Sequence, residues 1–138
     1  MPAPLLLDTC AVIWVAGDEE ISEAAGRALS EAHRLAQFIF ISPITAWEIG
    51  LLAARQRVAL SVKPQVWFKR LLEAPNVRLA EMSPELLISS SFLPGAPPRD
   101  PADRIIAATA REYGYTLVTR DRPLLHYADQ GHIQALAC

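Results

Sequence analysis

Short apolar runs alternate with longer amphipathic segments along the chain, and this alternation restricts the folds open to it. The runs are rich in leucine, β-branched and aromatic residues and too short for helices, which is typical of buried strands. They are Leu5–Leu7, Phe38–Ser42, Val77–Ala80, Tyr115–Val118 and Ile133–Ala137, the last of them predicted as an edge strand. Strands separated by helices are expected to pair in parallel, because a parallel connection needs a long crossover.

The segments between these runs carry helix signals at their ends. Ser22 and Ser83 are good N-cap residues, and Gly114 is typical of a helix C-terminus. The predicted helices are Ala11–Ala16, Ile21–Ala36, Pro43 to about Arg55, Lys63–Ala74, one that begins at Pro84, one from about Ala102 to Tyr113, and Pro123–Tyr127, with a loop at Pro94–Pro101. The expected fold is a single domain over residues 1–138, a three-layer α/β/α sandwich with a mostly parallel central sheet.

The bulk composition suits a soluble protein of a reducing compartment. Of the 138 residues, 51% are hydrophobic and 20% are charged, and no apolar run approaches the length of a membrane span. Cys10 and Cys138 do not form a disulfide framework, and the N-terminus lacks the basic segment and long apolar run of a signal peptide. We therefore expect a cytoplasmic location and no membrane contact, with Cys10 buried as a small apolar residue.

Four acidic residues stand where the chain leaves a predicted strand or enters a predicted helix. Asp8 and Asp121 each follow a strand. Glu48 and Asp103 lie near the starts of two helices. Ligands of open parallel sheets bind beyond the carboxyl ends of the strands, so we expect these four side chains to share one cleft.

A cluster of carboxylates indicates a hard divalent cation, because the negative charges repel one another. Mg²⁺ or Mn²⁺ is favoured over zinc, since no histidine or cysteine stands at metal-ligand spacing. Each acid also has a structural explanation, as a helix cap at Asp8, an exposed helical acid at Glu48, a partner of the helix dipole at Asp103 and a turn residue at Asp121. The hypothesis of a metal site therefore rests on the order of the four acids along the chain and on the sequence around them.

The sequence around these acids resembles the PIN domain, and more narrowly the VapC-type toxins of bacterial toxin–antitoxin pairs. Four blocks carry the resemblance in the family's order, namely Leu6–Cys10, Pro43–Ile49, Arg99–Ala110 and Leu117–Asp121. The resemblance covers nearly the whole chain. It implies that the metal-binding and catalytic residues are Asp8, Glu48, Asp103 and Asp121.

The same blocks contain further residues that match the family. Thr9 and Thr119 match hydroxyl positions beside the acids, where a hydroxyl can orient a bound water or a carboxylate. Thr45 matches the serine or threonine that the family usually has near the second acid. Asp100 is an additional acid that either assists the metal or only shapes its loop.

The resemblance also implies an activity and partners. The activity is a Mg²⁺- or Mn²⁺-dependent endoribonuclease that cleaves single-stranded or looped RNA, such as tRNA or rRNA loops, through an activated water. The partners are a small VapB-like antitoxin, received in a groove along Ile44–Leu52 and Val66–Leu72, and a second copy of the chain in a homodimer. Two alternatives stay open: a catalytically silent PIN-like module that binds RNA or protein, and a metal-dependent phosphoesterase with another substrate.

Basic residues beside the acids bear on an RNA substrate. The net charge of −2 argues against a nucleic-acid partner unless basic residues surround an acidic pocket. The arginines close to the acids in sequence are Arg99, Arg104, Arg120 and Arg122. They either attract the phosphate backbone or pair with neighbouring acids. The tryptophans Trp14, Trp47 and Trp67 are expected to pack in the core or at an interface.

Overall fold

The sheet has five strands, all parallel. A computed structural model describes residues 2–138. The strands are β1 (Leu5–Leu7), β2 (Ile39–Ile41), β3 (Val77–Leu79), β4 (Thr116–Thr119) and β5 (Gln134–Ala137). They lie in the order β3-β2-β1-β4-β5. The prediction of a mostly parallel sheet is confirmed, and every strand pair in the described part of the chain is parallel.

Within residues 2–138 the chain forms seven helices around the sheet. They are α1 (Thr9–Ala16), α2 (Glu23–Arg34), α3 (Pro43–Ala54), α4 (Pro64–Glu73), α5 (Pro84–Ser89), α6 (Pro101–Tyr113) and α7 (Arg122–Asp129). Helix α1 begins two residues before its predicted start, because Asp8 is its N-cap. The second strand ends before Ser42, because that residue caps α3. No helix within residues 2–138 combines the length and the apolar character that a membrane crossing requires.

The core has two halves, one on each face of the sheet. Leu5 and Leu7 pack with residues of α1, α2 and α4 on one face. Leu6 and Leu117, both fully buried, pack with α6 and α7 on the other. Burying one leucine side chain contributes about 2 kcal/mol. The expected three-layer sandwich is confirmed by this alternation, since successive residues of a strand point to opposite faces.

The strand order creates a crevice between β1 and β4. From β1 the chain builds outward through β2 to β3, and then returns to place β4 on the other side of β1. Such a switch point is where open α/β sheets bind ligands. The register pairs Leu7 with Val118, so the next residues along the two strands, Asp8 and Thr119, meet at the mouth of this crevice.

Candidate active site

Asp8 is the most firmly held acid of the crevice. Its side chain is buried, and the Ala11 backbone N–H donates to Oδ1 over 2.8 Å, which makes Asp8 the N-cap of α1. The Thr119 hydroxyl donates to the other oxygen, Oδ2. Burial raises the pKa of Asp8, the two hydrogen bonds oppose that rise, and the charge of Asp121 adds to it. The explanation of Asp8 as a helix cap is confirmed. Its carboxylate also lies close enough to Asp121 to feel that charge.

Asp121 is connected to Asp8 through one hydroxyl. The Asp121 backbone N–H donates to Oγ1 of Thr119 over 2.9 Å, while that hydroxyl donates to Asp8. The carboxylate of Asp121 accepts from the Leu124 backbone N–H at 3.0 Å and caps α7. Asp121 is thus a helix cap as well as a residue of the turn after β4. Thr119, fully buried, fixes the spacing of the two strand-end acids.

Glu48 reaches the crevice from α3. The Thr9 hydroxyl donates to Oε1 of Glu48 over 2.5 Å and lies 3.1 Å from the hydroxyl of Thr45. Burial raises the pKa of Glu48, the bond from Thr9 opposes the rise, and three neighbouring carboxylates add to it. Glu48 is therefore a half-buried acid oriented by a hydroxyl. The alternative explanation from the sequence, that Glu48 is merely an exposed acid on a helix, is wrong.

Asp103 differs from the other acids because no group within residues 2–138 hydrogen-bonds to its carboxylate. Burial, followed by the charges of four neighbouring carboxylates, raises its pKa to about 7. Its backbone N–H donates to Oδ1 of Asp100 over 3.0 Å, so Asp100 is the N-cap of α6. Asp100 shapes the start of this helix and also adds to the negative potential at Asp103 and Glu48.

No acid of this acid cluster, defined as Asp8, Glu48, Asp100, Asp103 and Asp121, forms an ion pair within residues 2–138. The two ion pairs found within residues 2–138 both lie on α2, as Glu23–Arg27 and Glu31–Arg34. The donor set of oxygens suits a hard cation. In the described part of the chain, however, no three acid, histidine or cysteine side chains stand ready to hold one ion. The cluster fits Mg²⁺, which keeps several waters and takes only one or two carboxylates directly.

Known proteins resemble this chain over a range that contains all four motif blocks. The sequence profile of the PIN domain matches residues 5–130. The chain belongs to the PIN-domain family. Ribonuclease VapC22 of Mycobacterium tuberculosis (strain ATCC 25618 / H37Rv) is 37% identical to this PIN domain over 121 residues, which are 87% of this chain and 88% of that protein. The resemblance to the VapC type is thereby confirmed.

Solved structures share the fold of this PIN domain at low sequence identity. VapBC2 from Rickettsia felis, bound to a DNA fragment from their promoter, superposes with a TM-score of 0.62 at 15% identity, covering 96% of this chain and 97% of that one. FitAcB from Neisseria gonorrhoeae superposes with a TM-score of 0.57 at 22% identity, and the match covers 96% of each chain. A domain of a functionally unknown protein from Methanocaldococcus jannaschii DSM 2661 superposes with a TM-score of 0.60 at 19% sequence identity. The match covers 99% of this chain and 91% of that chain. These likenesses support the fold alone.

Two of the four arginines make internal contacts. The Arg104 Nε donates to the carbonyl oxygen of Pro98 over 2.7 Å. Arg120 lies 3.8 Å above the ring of Trp14 and donates to the carbonyl oxygen of Glu20 over 2.6 Å. Such contacts hold loops in place, so both guanidinium groups are largely committed to the fold.

The other two of these four arginines, Arg99 and Arg122, are exposed. Neither forms a hydrogen bond or ion pair with another residue of the described part of the chain. None of the four arginines pairs with an acid of the cluster, so the alternative of pairing with neighbouring acids has no support from residues 2–138. Arg99 and Arg122 are thus the two of these four arginines that are exposed and make no such contact within residues 2–138.

The prediction for Cys10 is wrong. Cys10 is exposed, because the first turn of α1 buries Thr9 and Ala11 instead and leaves Cys10 at the rim of the acid cluster. Partial burial and the nearby carboxylates raise the pKa of its thiol to about 11. The thiol is therefore protonated at neutral pH and is no nucleophile. Among the tryptophans, Trp14 and Trp67 pack against the core, whereas Trp47 is 57% exposed beside Glu48.

Proposed function

We propose that the chain is a divalent-metal-dependent endoribonuclease and the toxin of a toxin–antitoxin module. The observation that carries this proposal is the acid cluster at the switch point, where burial and neighbouring carboxylates raise the pKa of Asp8, Glu48 and Asp103 and no ion pair within residues 2–138 involves an acid of the cluster. The 37% identity to a ribonuclease supports it. The metal, Mg²⁺ or Mn²⁺, would be held by Asp8, Glu48, Asp103 and Asp121, with Asp100 as a contributor to the field.

The proposed mechanism is in-line attack of water on the phosphorus of an RNA phosphodiester, which breaks the P–O bond to the ribose oxygen opposite the attacking water. A bound divalent cation would supply the charge that activates the water and stabilises the negative charge of the transition state. Asp8 and Glu48 keep fixed orientations through Thr119 and Thr9. The carboxylate of Asp103 accepts no hydrogen bond from residues 2–138, so it is available to accept the proton of the attacking water.

The proposed substrate is single-stranded or looped RNA, such as a tRNA or rRNA loop. Unpaired bases of a loop can be contacted individually, unlike those of an A-form helix. The exposed Arg99 and Arg122 would attract the phosphate backbone, which reconciles a chain of net charge −2 with a polyanion.

The proposed regulator is a small VapB-like antitoxin that lies along α3 and α4. The predicted groove at Ile44–Leu52 and Val66–Leu72 contains apolar side chains that the chain leaves open, with Trp47 57% and Val66 39% exposed. Exposed apolar surface of this kind is typical of a protein interface. We further propose that the toxin is a cytoplasmic homodimer.

The test compares cleavage by the wild type, Asp8→Asn and Asp129→Asn with Mn²⁺ and with EDTA. Asparagine still caps a helix, so Asp8→Asn removes the charge and keeps α1. Asp129 is exposed at the end of α7 and provides the matched control. We expect RNA cleavage that EDTA and Asp8→Asn abolish and that Asp129→Asn leaves intact.

The same assay separates the alternatives. RNA, single-stranded DNA and a phosphomonoester are incubated in parallel. Cleavage of the phosphomonoester alone would favour the phosphoesterase. RNA binding without any cleavage would favour the silent module, and wild-type cleavage by Asp8→Asn would overturn the proposed site.

A further inference from the structure

A cavity of about 350 Å³ adjoins the acid cluster between the proline-rich loop and α7. Asp100 and Asp103 form the wall that the cavity shares with the cluster. Its volume lies at the lower end of the range of small-molecule sites, about 300–1,000 Å³. A group bound in this cavity would therefore lie next to the scissile phosphate of an RNA bound at the acid cluster.

Proline residues and two hydrogen bonds restrain the walls of the cavity. Three proline rings, those of Pro97, Pro98 and Pro123, line it. The loop is held at two carbonyl oxygens, because Arg104 donates to Pro98 over 2.7 Å and Tyr127 donates to Pro94 over 2.6 Å. Proline restricts the backbone further. A wall already in its bound shape loses little entropy when a ligand enters, so the cavity is preorganised.

The polar groups of the cavity point to one kind of ligand. Arg99 and His126 line the cavity and supply N–H donors, His126 through Nδ1 because its Nε2 accepts from the Gln130 side-chain amide over 3.3 Å, and Asp100 supplies an acceptor. One oxygen of Asp100 is occupied as the cap of α6, which leaves Oδ2 without a partner among residues 2–138. The two carboxylates repel a phosphate. A planar ring with an acceptor edge and a donor edge matches this set. Guanine fits it best among the bases, because its adjacent O6 and N7 accept from an arginine fork and its adjacent N1–H and N2–H donate to a carboxylate.

We propose that this cavity binds an unpaired guanine of the RNA beside the scissile phosphate, with Arg99 and His126 as its specificity-determining residues. This base subsite rests on the proposed function, since it presumes an RNA substrate. It assigns a task to His126 and a second task to Arg99, whose guanidinium would contact the base edge. The prolines would provide the faces on which the ring packs.

The first test measures binding without cleavage. The full chain, labelled with ¹⁵N and kept in EDTA, is titrated with the trinucleotides UGU, UAU and UCU and followed by NMR. We expect UGU to shift the backbone amides of Ala96 and Arg99 and the His126 imidazole, with an apparent affinity roughly ten-fold above that of UAU. Arg99→Ala and His126→Ala should lose this preference, whereas the exposed Arg27→Ala and His33→Ala on α2 should keep it.

The second test sequences the 5′ ends produced from a random RNA pool with Mn²⁺. We expect guanine at one fixed position beside the cut, and a loss of that preference by roughly ten-fold in Arg99→Ala. If RNA is cut without base preference and UGU shifts no cavity resonance, the subsite is overturned while the proposed function stands. If UGU binds as expected but no RNA is cut, the subsite holds and the nuclease proposal fails.

Discussion

The two strand-end acids and the two helix-borne acids of the cluster are held in different ways. Asp8 and Asp121 follow β1 and β4, cap α1 and α7, and share the hydroxyl of Thr119. Glu48 and Asp103 stand within α3 and α6 and cap nothing. The first pair therefore has a structural task whatever its chemistry, whereas the second pair adds charge without supporting a helix end.

The two pairs also differ in the free energy that their burial costs the folded chain. A carboxylate that accepts helix N–H groups is partly compensated for its burial. Asp103 lacks such compensation, and its pKa of about 7 means that ionising it in the folded chain is unfavourable. A cation in the cluster would remove that penalty. A metal should thus stabilise the folded chain chiefly by relieving the helix-borne pair, whereas removing a strand-end acid should lower stability through the lost helix cap.

The largest expected effect is on cleavage by Asp103→Asn. Removing this charge should lower the rate at least about hundred-fold, because the lost group faces the reacting phosphate. The rate is measured on a fluorescent RNA with Mn²⁺. Glu112→Gln, an exposed acid of the same helix, serves as the control and should cleave normally. A rate for Asp103→Asn close to that of the wild type would show that the helix-borne pair has no chemical task.

The next effect is on folding, and it should separate the two pairs. Asp8→Ala should lower the free energy of unfolding by about 2 kcal/mol, because the cap of α1 is lost and the buried Thr119 hydroxyl loses its acceptor. Asp103→Ala should lower it far less, since no helix end depends on that carboxylate. Urea denaturation in EDTA measures both. Equal losses would contradict the distinction drawn between the pairs.

A smaller effect is expected on the pH dependence of stability without metal. Asp103 has a folded pKa of about 7, above its ordinary value of 3.8, so the folded chain holds more protons than the unfolded chain between these values. Its contribution to stability therefore falls as pH rises through that window. Because the group is partly exposed, we expect the loss to be about 1 kcal/mol, or roughly 3 °C in melting temperature.

Thermal melts in EDTA at pH 5 and pH 8 measure this loss. The difference between the wild type and Asp103→Asn isolates the contribution of Asp103 from that of other titrating groups. The wild type should lose more stability than the variant between the two pH values, and Mg²⁺ should reduce its loss. A steeper fall in Asp103→Asn than in the wild type would reverse the sign and contradict the account.

The smallest effect concerns the hydroxyl that connects the strand-end pair. Thr119→Val should lower the free energy of unfolding by about 1 kcal/mol, because Asp8 and the Asp121 backbone N–H each lose a partner. Thr116→Val, at the other end of β4, should be nearly neutral, since its hydroxyl makes only a long bond of 3.4 Å to Gln134. No difference between the two variants would mean that Thr119 does not hold the pair.

Local sequence signals predicted most of the fold. The apolar run Leu5–Leu7, the caps at Ser22 and Ser83 and the C-terminal glycine Gly114 all lie where the structure has them. These features depend on a few neighbouring residues, so they can be recognised without knowing what packs against them. The motif blocks likewise sufficed to identify the family. The roles of the acids stay a prediction.

The tertiary structure alone decided which side chains meet. Thr9 orients Glu48 across 39 positions, and Thr119 orients Asp8 across 111. Both contacts depend on the order of the strands and on the register that sets Leu7 opposite Val118. The same long-range packing placed Arg120 over Trp14 and left Cys10 exposed at the rim of the acids. The positions of the four acids at strand and helix ends could be recognised from the sequence. The hydrogen-bond partners of each acid depend on the parallel register, because only groups that lie close in space can bond.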